Sequence, residues 1–170
     1  MFLSMPQAQQ GVNLSRYLVV PRVLIFITRR NEVLLLKGAS GKRLWKNKYN
    51  GVGGHVERGE DPLSAAHREL FEETGLRTHL SLCGTVIVDT GKNIGVGLYI
   101  FSGECAAQEA RASQEGMLEW VPFDKIPEKP IVEDLEILFK MVRQVKKGSD
   151  PFVARSYYGK NGKLTVTIPE

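Results

Sequence analysis

From residue 22 onward the chain changes from a polar stretch to short, dense apolar runs. Residues 22–28 (RVLIFIT) and 32–37 (EVLLLK) are rich in branched and aliphatic side chains. They predict two strands, with residues 29–31 as the turn between them. A Gly-, Lys- and Trp-bearing loop follows over 38–48. A short strand at 49–52 then ends in Gly53-Gly54. The spacing next changes to that of a helix. Asp61 suits the N-cap, Pro62 suits the first helical position, and Leu63, Ala66 and Leu70 recur three and four apart. Gly75 suits the left-handed position that stops a helix. Strands are predicted over 78–89, 95–104 and 118–122. A second helix is predicted over 132–147, with Leu135, Leu138, Phe139 and Val142 along one side. The end of the chain, 155–158 and 164–168 around Asn161-Gly162, predicts a hairpin. Strands interleaved with helices in this order imply an α/β protein, a mixed sheet with helices packed on its faces. Residues 1–16 are polar and Gln-rich and are expected to be a flexible arm. Residues 17–170 then make a single domain.

The chain has 170 residues, 42% of them hydrophobic and 25% charged, which suits a globular domain large enough to need no covalent staples. Its two cysteines, Cys83 and Cys105, are far apart and have no histidine cluster, so neither a disulfide framework nor a zinc site is expected. The N-terminal residues lack the basic and apolar regions of a signal peptide, and no apolar run is long enough to span a bilayer. A cytoplasmic protein is the expectation. The net charge of +4 is too diffuse to imply nucleic-acid binding. Part of it, Arg29, Arg30, Lys37, Lys42, Arg43, Lys46 and Lys48, clusters where it could face a polyanion.

The first helix carries the chemistry. At about 100 degrees per residue, Glu69, Glu72 and Glu73 share one arc beside the apolar stripe. Like charges this close repel, and a hard divalent cation such as Mg²⁺ would offset the repulsion. Arg68 can orient these carboxylates through charge-assisted hydrogen bonds. Glu60 lies just ahead of the helix. Gly53 and Gly54 let the backbone approach a ligand closely.

Residues 54–76 match G-x5-E-x7-R-E-U-x-E-E-x-G-U, where U is a bulky aliphatic residue, at every defined position. The chain therefore resembles the Nudix hydrolases. The resemblance implies an α/β/α sandwich with a C-terminal hairpin, and hydrolysis of a nucleoside diphosphate linkage with Mg²⁺, for which Mn²⁺ can substitute. It implies Glu69, Glu72 and Glu73 as metal ligands, assisted by the Gly53 carbonyl, with Arg68, Glu60, Gly54 and Gly75 in support. A further carboxylate is often supplied downstream of the box. Glu115 is the candidate here, as base or extra ligand, with Glu69 as the rival base.

Ahead of the box, Tyr49-Asn50-Gly51-Val52-Gly53-Gly54 is similar to the corresponding run in the oxidised purine nucleoside triphosphate hydrolases. By that likeness Asn50 would read a purine edge, joined by the acidic pair Glu133-Asp134, with Lys37 as a further substrate-binding residue. Two positions depart from the pattern. Ile131-Val132 stands where that group has a tryptophan, and His55 where it has lysine. The expected substrate is a (deoxy)nucleoside triphosphate such as 8-oxo-dGTP. The box itself also admits other nucleoside diphosphate derivatives, such as ADP-ribose or a dinucleotide, and a non-catalytic nucleotide-sensing domain. A small-molecule nucleotide is the expected partner, neither nucleic acid nor membrane, in a monomer or homodimer.

Overall fold

The computed structural model describes residues 10–40, 45–105, 109–111 and 116–169. Its strands are β1 (Leu18–Arg29), β2 (Glu32–Gly38), β3 (Tyr49–Asn50), β4 (Ser81–Val88), β5 (Ile94–Glu104), β6 (Gly116–Pro122), β7 (Phe152–Tyr158) and β8 (Leu164–Thr167). The helices are α1 (Pro62–Thr74), α2 (Leu135–Gln144) and a 3-10 helix over Phe123–Glu128. The strands form one eight-stranded mixed sheet in the order β3-β2-β1-β5-β4-β7-β8, with β6 on the other edge of β2. The β1–β5 and β4–β7 pairs are parallel, and the remaining pairs are antiparallel.

Alternation along β1 divides the core in two. Val23, Ile25 and Ile27 pack with Ala65, Ala66 and Leu70 of α1. Leu24 and Phe26 pack with Leu135, Leu138, Phe139 and Val142 of α2. The sheet is thus covered on both faces, as an α/β/α sandwich requires. Cys83 and Cys105 are both free and buried. Among the described residues, no helix is long and apolar enough to cross a membrane.

The structure departs from the sequence pattern in several places: the third strand is only Tyr49–Asn50, the strand expected from 78 begins at Ser81, the one expected from 155 begins at Phe152, and the second helix ends at Gln144. β1 begins at Leu18, because residues 18–21 join β5 in register with residues 94–97. α2 begins at Leu135 and not at 132. The Val132 N–H is drawn to the Tyr49 carbonyl at 3.0 Å, and Tyr49 and Ile131 form an isolated parallel bridge. The 3-10 turn over Phe123–Glu128, with Pro127 inside it, had no counterpart in the expected elements. Leu63, expected in the core stripe, is 42% exposed, and Ala65 is buried in the core instead.

The start of β2 pairs with β1 and its far end pairs with β3, along the same edge. The chain then crosses to β1, where Val52 and His55 bridge to Ile25 and Arg22. This crossing carries Gly53 and Gly54 to the base of α1.

Candidate functional site

α1 is fixed at both ends by local chemistry. The Asp61 carboxylate accepts from the Leu63 and Ser64 N–H groups, each at 2.9 Å, and so caps otherwise unpaired donors. At the other end Gly75 takes φ 72 and donates its N–H to the Phe71 carbonyl at 2.8 Å. Between these caps the helix presents Arg68, Glu69, Glu72 and Glu73.

Arg68 is saturated. A guanidinium has five N–H donors, and each finds an acceptor here. Nε donates to Glu60 Oε1 at 2.7 Å, and Nη2 donates to Glu60 Oε2 and to the His55 carbonyl, both at 3.0 Å. Nη1 donates to Glu69 Oε1 at 2.9 Å and to Glu72 Oε2 at 3.0 Å. These acceptors, Glu60 foremost, hold the arginine's pKa above its ordinary value. In turn the Arg68 guanidinium holds the Glu60 carboxyl below the usual range, assisted by the Glu57 N–H. The pair therefore stays ionised and fixes the arc of glutamates from below.

The two glycines admit those glutamates to the far side of the crossing. A Cβ on Gly54 would overlap the Glu69 carboxylate, and one on Gly53 would run into the Val23 carbonyl. The Gly53 N–H donates to Glu73 Oε2 at 3.0 Å, and Glu73 is only 5% exposed. Glu69, Glu72 and Glu73 together line a cavity of about 760 Å³, a size suited to a small-molecule ligand.

The cavity lining sorts into two sets. One is charged: the three glutamates with Arg22, Lys48 and His55. The other combines Leu24, Val88, Val96 and Leu98 with two polar groups, Asn50 and Asp134. Asn50 Oδ1 accepts from the Gly51 N–H at 2.8 Å, and among the described residues the amide's Nδ2 has no acceptor. Burial pushes the Asp134 carboxyl up, against the opposing pull of its own backbone N–H, and the neighbouring Glu133 charge pushes the same way.

The structure thus gathers Asn50, Gly53, Gly54, Glu69, Glu72, Glu73 and Asp134 at one cavity, with Arg68, Glu60 and Gly75 behind them. Glu133 is exposed beside Asp134 and does not line the cavity. Lys37, expected to bind substrate, does not line it either: it lies 5.7 Å from the centre of the Tyr49 ring, which belongs to the α2-side core. Glu115 lies outside the described residues. Within the basic cluster, Lys48 lines the cavity, whereas Arg29 pairs with Glu32 and lies over the Trp120 ring. Arg22 and Trp45 were not singled out from the sequence. The available signal for Arg22 was a lone cation opening a strand of Val, Leu and Ile.

The donor set fits a hard cation, because every candidate ligand is an oxygen. Among the described residues, no three acidic, histidine or cysteine side chains already close into a metal cage. Arg68 holds Glu69 and Glu72, and a hard cation held there would take its remaining oxygens from water or phosphate.

Residues 19–141 match the NUDIX domain family model. The chain belongs to the Nudix family. This Nudix domain is 31% identical over 126 residues to an oxidized purine nucleoside triphosphate hydrolase of Danio rerio, covering 73% of this chain and 80% of the relative. It is 29% identical over 126 residues to the protein of that name from Mus musculus, with the same coverage. Its fold superposes on the crystal structure of a MutT protein from Bacillus halodurans with a TM-score of 0.72 and 25% identity, covering 88% of this chain and 97% of the other. The Nudix domain is accordingly a hydrolase, and its α/β/α fold is that of the MutT-like members.

Proposed function

We propose that the protein hydrolyses a (deoxy)nucleoside triphosphate, with an oxidised purine such as 8-oxo-dGTP as the favoured base, to the monophosphate and pyrophosphate. The observation that carries this reading is one cavity in which the α1 carboxylates face Asn50 and Asp134. The similarity to hydrolases of oxidised purine nucleoside triphosphates supports it. Mg²⁺ is the expected cofactor, with Mn²⁺ able to replace it. Glu69, Glu72 and Glu73, assisted by the Gly53 carbonyl, would hold it, and it would neutralise phosphoryl charge and acidify bound water.

The chain's own groups divide the remaining work. Asn50, oriented by the bond from the Gly51 N–H to its Oδ1, donates through Nδ2 to an acceptor on the base edge. Asp134, whose protonated form burial favours, lies where it can donate to a second acceptor. The apolar side chains Leu24, Val96 and Leu98 flank the base and exclude water. At the charged side the water oxygen bonds to phosphorus, and the phosphorus–oxygen bond to the leaving group breaks with its electron pair. Pyrophosphate and the monophosphate separate, and a carboxylate takes the water's proton. Glu69 is the candidate base within the described residues, and Glu115 is its rival. Arg68 keeps Glu69 and Glu72 aimed.

A panel of nucleotides with Mg²⁺ tests this, using the wild type and Glu72→Gln. Oxidised purine triphosphates should be turned over faster than ADP-ribose, NADH or diadenosine polyphosphates. Glu72→Gln should lose at least about 10²-fold in kcat, in line with several kcal/mol of charge stabilisation by the metal. Equal rates on ADP-ribose and on 8-oxo-dGTP would refute the substrate assignment.

A further inference from the structure

Two arginines of the described residues at the charged side of the site are in opposite states. Every N–H of Arg68 has a protein acceptor. Arg22 has none among the described residues, although it sits on β1 and lines the cavity. Its guanidinium carbon lies 5.2 Å from the centre of the Trp45 ring, a cation–π contact that satisfies the face of the group and leaves its edge unpaired. Glu69 and Glu73 attract its charge without hydrogen-bonding it. Loss of hydration is the larger influence on the group and pulls its pKa below the ordinary arginine value.

A half-buried guanidinium with unused donors is costly unless something accepts from it. Its fork geometry matches two oxygens of one phosphate group. Glutamate carboxylates destined for a cation are poor lasting partners for it, because they cannot neutralise the metal and the arginine fully at once. Lys48 and His55 line the same cavity, so a polyanion entering there meets further basic groups.

We infer that Arg22 is a polyphosphate-binding residue, set by the Trp45 ring, that grips the phosphates of the substrate while the glutamates serve the cation. The ligand's identity rests on the triphosphate reading above. The binding chemistry itself requires only a polyphosphate.

Arg22→Gln and Arg22→Lys test it in two independent arms. The first is steady-state kinetics with 8-oxo-dGTP and magnesium chloride. Arg22→Gln should raise KM by about tenfold to a hundredfold, the range for losing charge-assisted hydrogen bonds. Arg22→Lys should recover part of the loss, because it keeps the charge and lacks the fork. The second arm is calorimetric binding of inorganic tripolyphosphate with magnesium chloride, which carries no base and needs no turnover. Arg22→Gln should weaken it by a similar factor. If tripolyphosphate binds wild type and Arg22→Gln within twofold of each other, and only the melting temperature moves, Arg22 is merely a counterion for the glutamates and the inference fails. A wild type that binds tripolyphosphate but turns over no triphosphate sinks the substrate reading, and the calorimetric arm still decides Arg22.

Discussion

Arg68 and Glu60 meet as a two-bond fork, Nε to Oε1 at 2.7 Å and Nη2 to Oε2 at 3.0 Å, from opposite ends of the loop-to-helix junction. The fork is what aims the third nitrogen, Nη1, at Glu69 and Glu72. Glu60→Gln keeps the shape and removes the charge. It should lower kcat/KM by about 10- to 100-fold, the usual effect of losing a group that orients a metal ligand. Because the carboxyl of Glu60 is held below its ordinary range by Arg68, its stabilising effect is complete above about pH 4.3 and is lost as pH falls through the depressed value. Urea unfolding across that acidic interval should therefore lose less stability in Glu60→Gln than in wild type. A kcat/KM within twofold of wild type would refute the orienting role.

Gly53 and Gly54 are neighbours with different reasons to lack a side chain. At Gly53 the backbone has φ 150, and a Cβ would strike the rigid Val23 carbonyl. Gly53→Ala should destabilise the fold by at least about 1–3 kcal/mol, the cost of a residue forced into that region. At Gly54 the obstacle is the Glu69 carboxylate, the movable end of a side chain. Gly54→Ala should keep most of the stability while displacing Glu69, with a fall in kcat. Thermal unfolding and kcat measured on both variants separate the two cases. Equal loss of melting temperature in both would contradict the distinction.

Much of this site is local in sequence, which is why it could be read there. The caps of α1, its buried face at Ala66 and Leu70, and the arc of Glu69, Glu72 and Glu73 follow from spacing along one helix. The strand pattern likewise foreshadowed β2, β5 and the last hairpin. What the pattern could not give depends on pairing between distant segments. The bridge between Tyr49 and Ile131 shortened α2, and the passage of the chain from β2 to β1 brought His55 beside Arg22. The same passage explains why Arg22 reads as an ordinary strand residue in the sequence and as a cavity group in the fold. Lys37 was expected at the substrate from a family likeness, and its ammonium lies instead by the Tyr49 ring, outside the cavity lining.

Tyr49 ties together the segments that carry Asn50 and lead to Asp134. Its N–H donates to the Pro130 carbonyl at 2.8 Å, and its carbonyl accepts from Val132. Its hydroxyl donates to Glu119, which also takes the Lys129 ammonium at 2.5 Å. Burial first, and then the bond to Glu119, pushes the phenol up to about 12. Tyr49→Phe removes only the hydroxyl, and Glu119 keeps Lys129. The expected cost is about 1 kcal/mol in stability, typical of one hydrogen bond. Asn50 and the segment leading to Asp134 should also loosen relative to each other, raising KM for 8-oxo-dGTP more than it lowers kcat. An unchanged KM would show that these segments are held without this hydroxyl.

Asp134 provides the pH test of the proposed base-reading role. Burial favours its neutral form, and the Glu133 charge adds to that preference. Below the raised pKa the carboxyl carries its proton and can donate to the base; as pH rises through that value the donor is lost. KM for 8-oxo-dGTP should therefore climb with pH in the wild type, over an interval displaced above the ordinary Asp value of about 3.9. Asp134→Asn keeps an N–H donor and cannot titrate, so its KM should stay flat over the same interval. The stability that the neutral carboxyl preserves is likewise present at low pH and lost as pH rises through the raised pKa, because a charged Asp134 must be desolvated. Asn should remove that decline as well. KM profiles collected from the ordinary Asp range upward would decide the matter, and parallel profiles for wild type and Asp134→Asn would rule out a protonated Asp134 as the reader of the base.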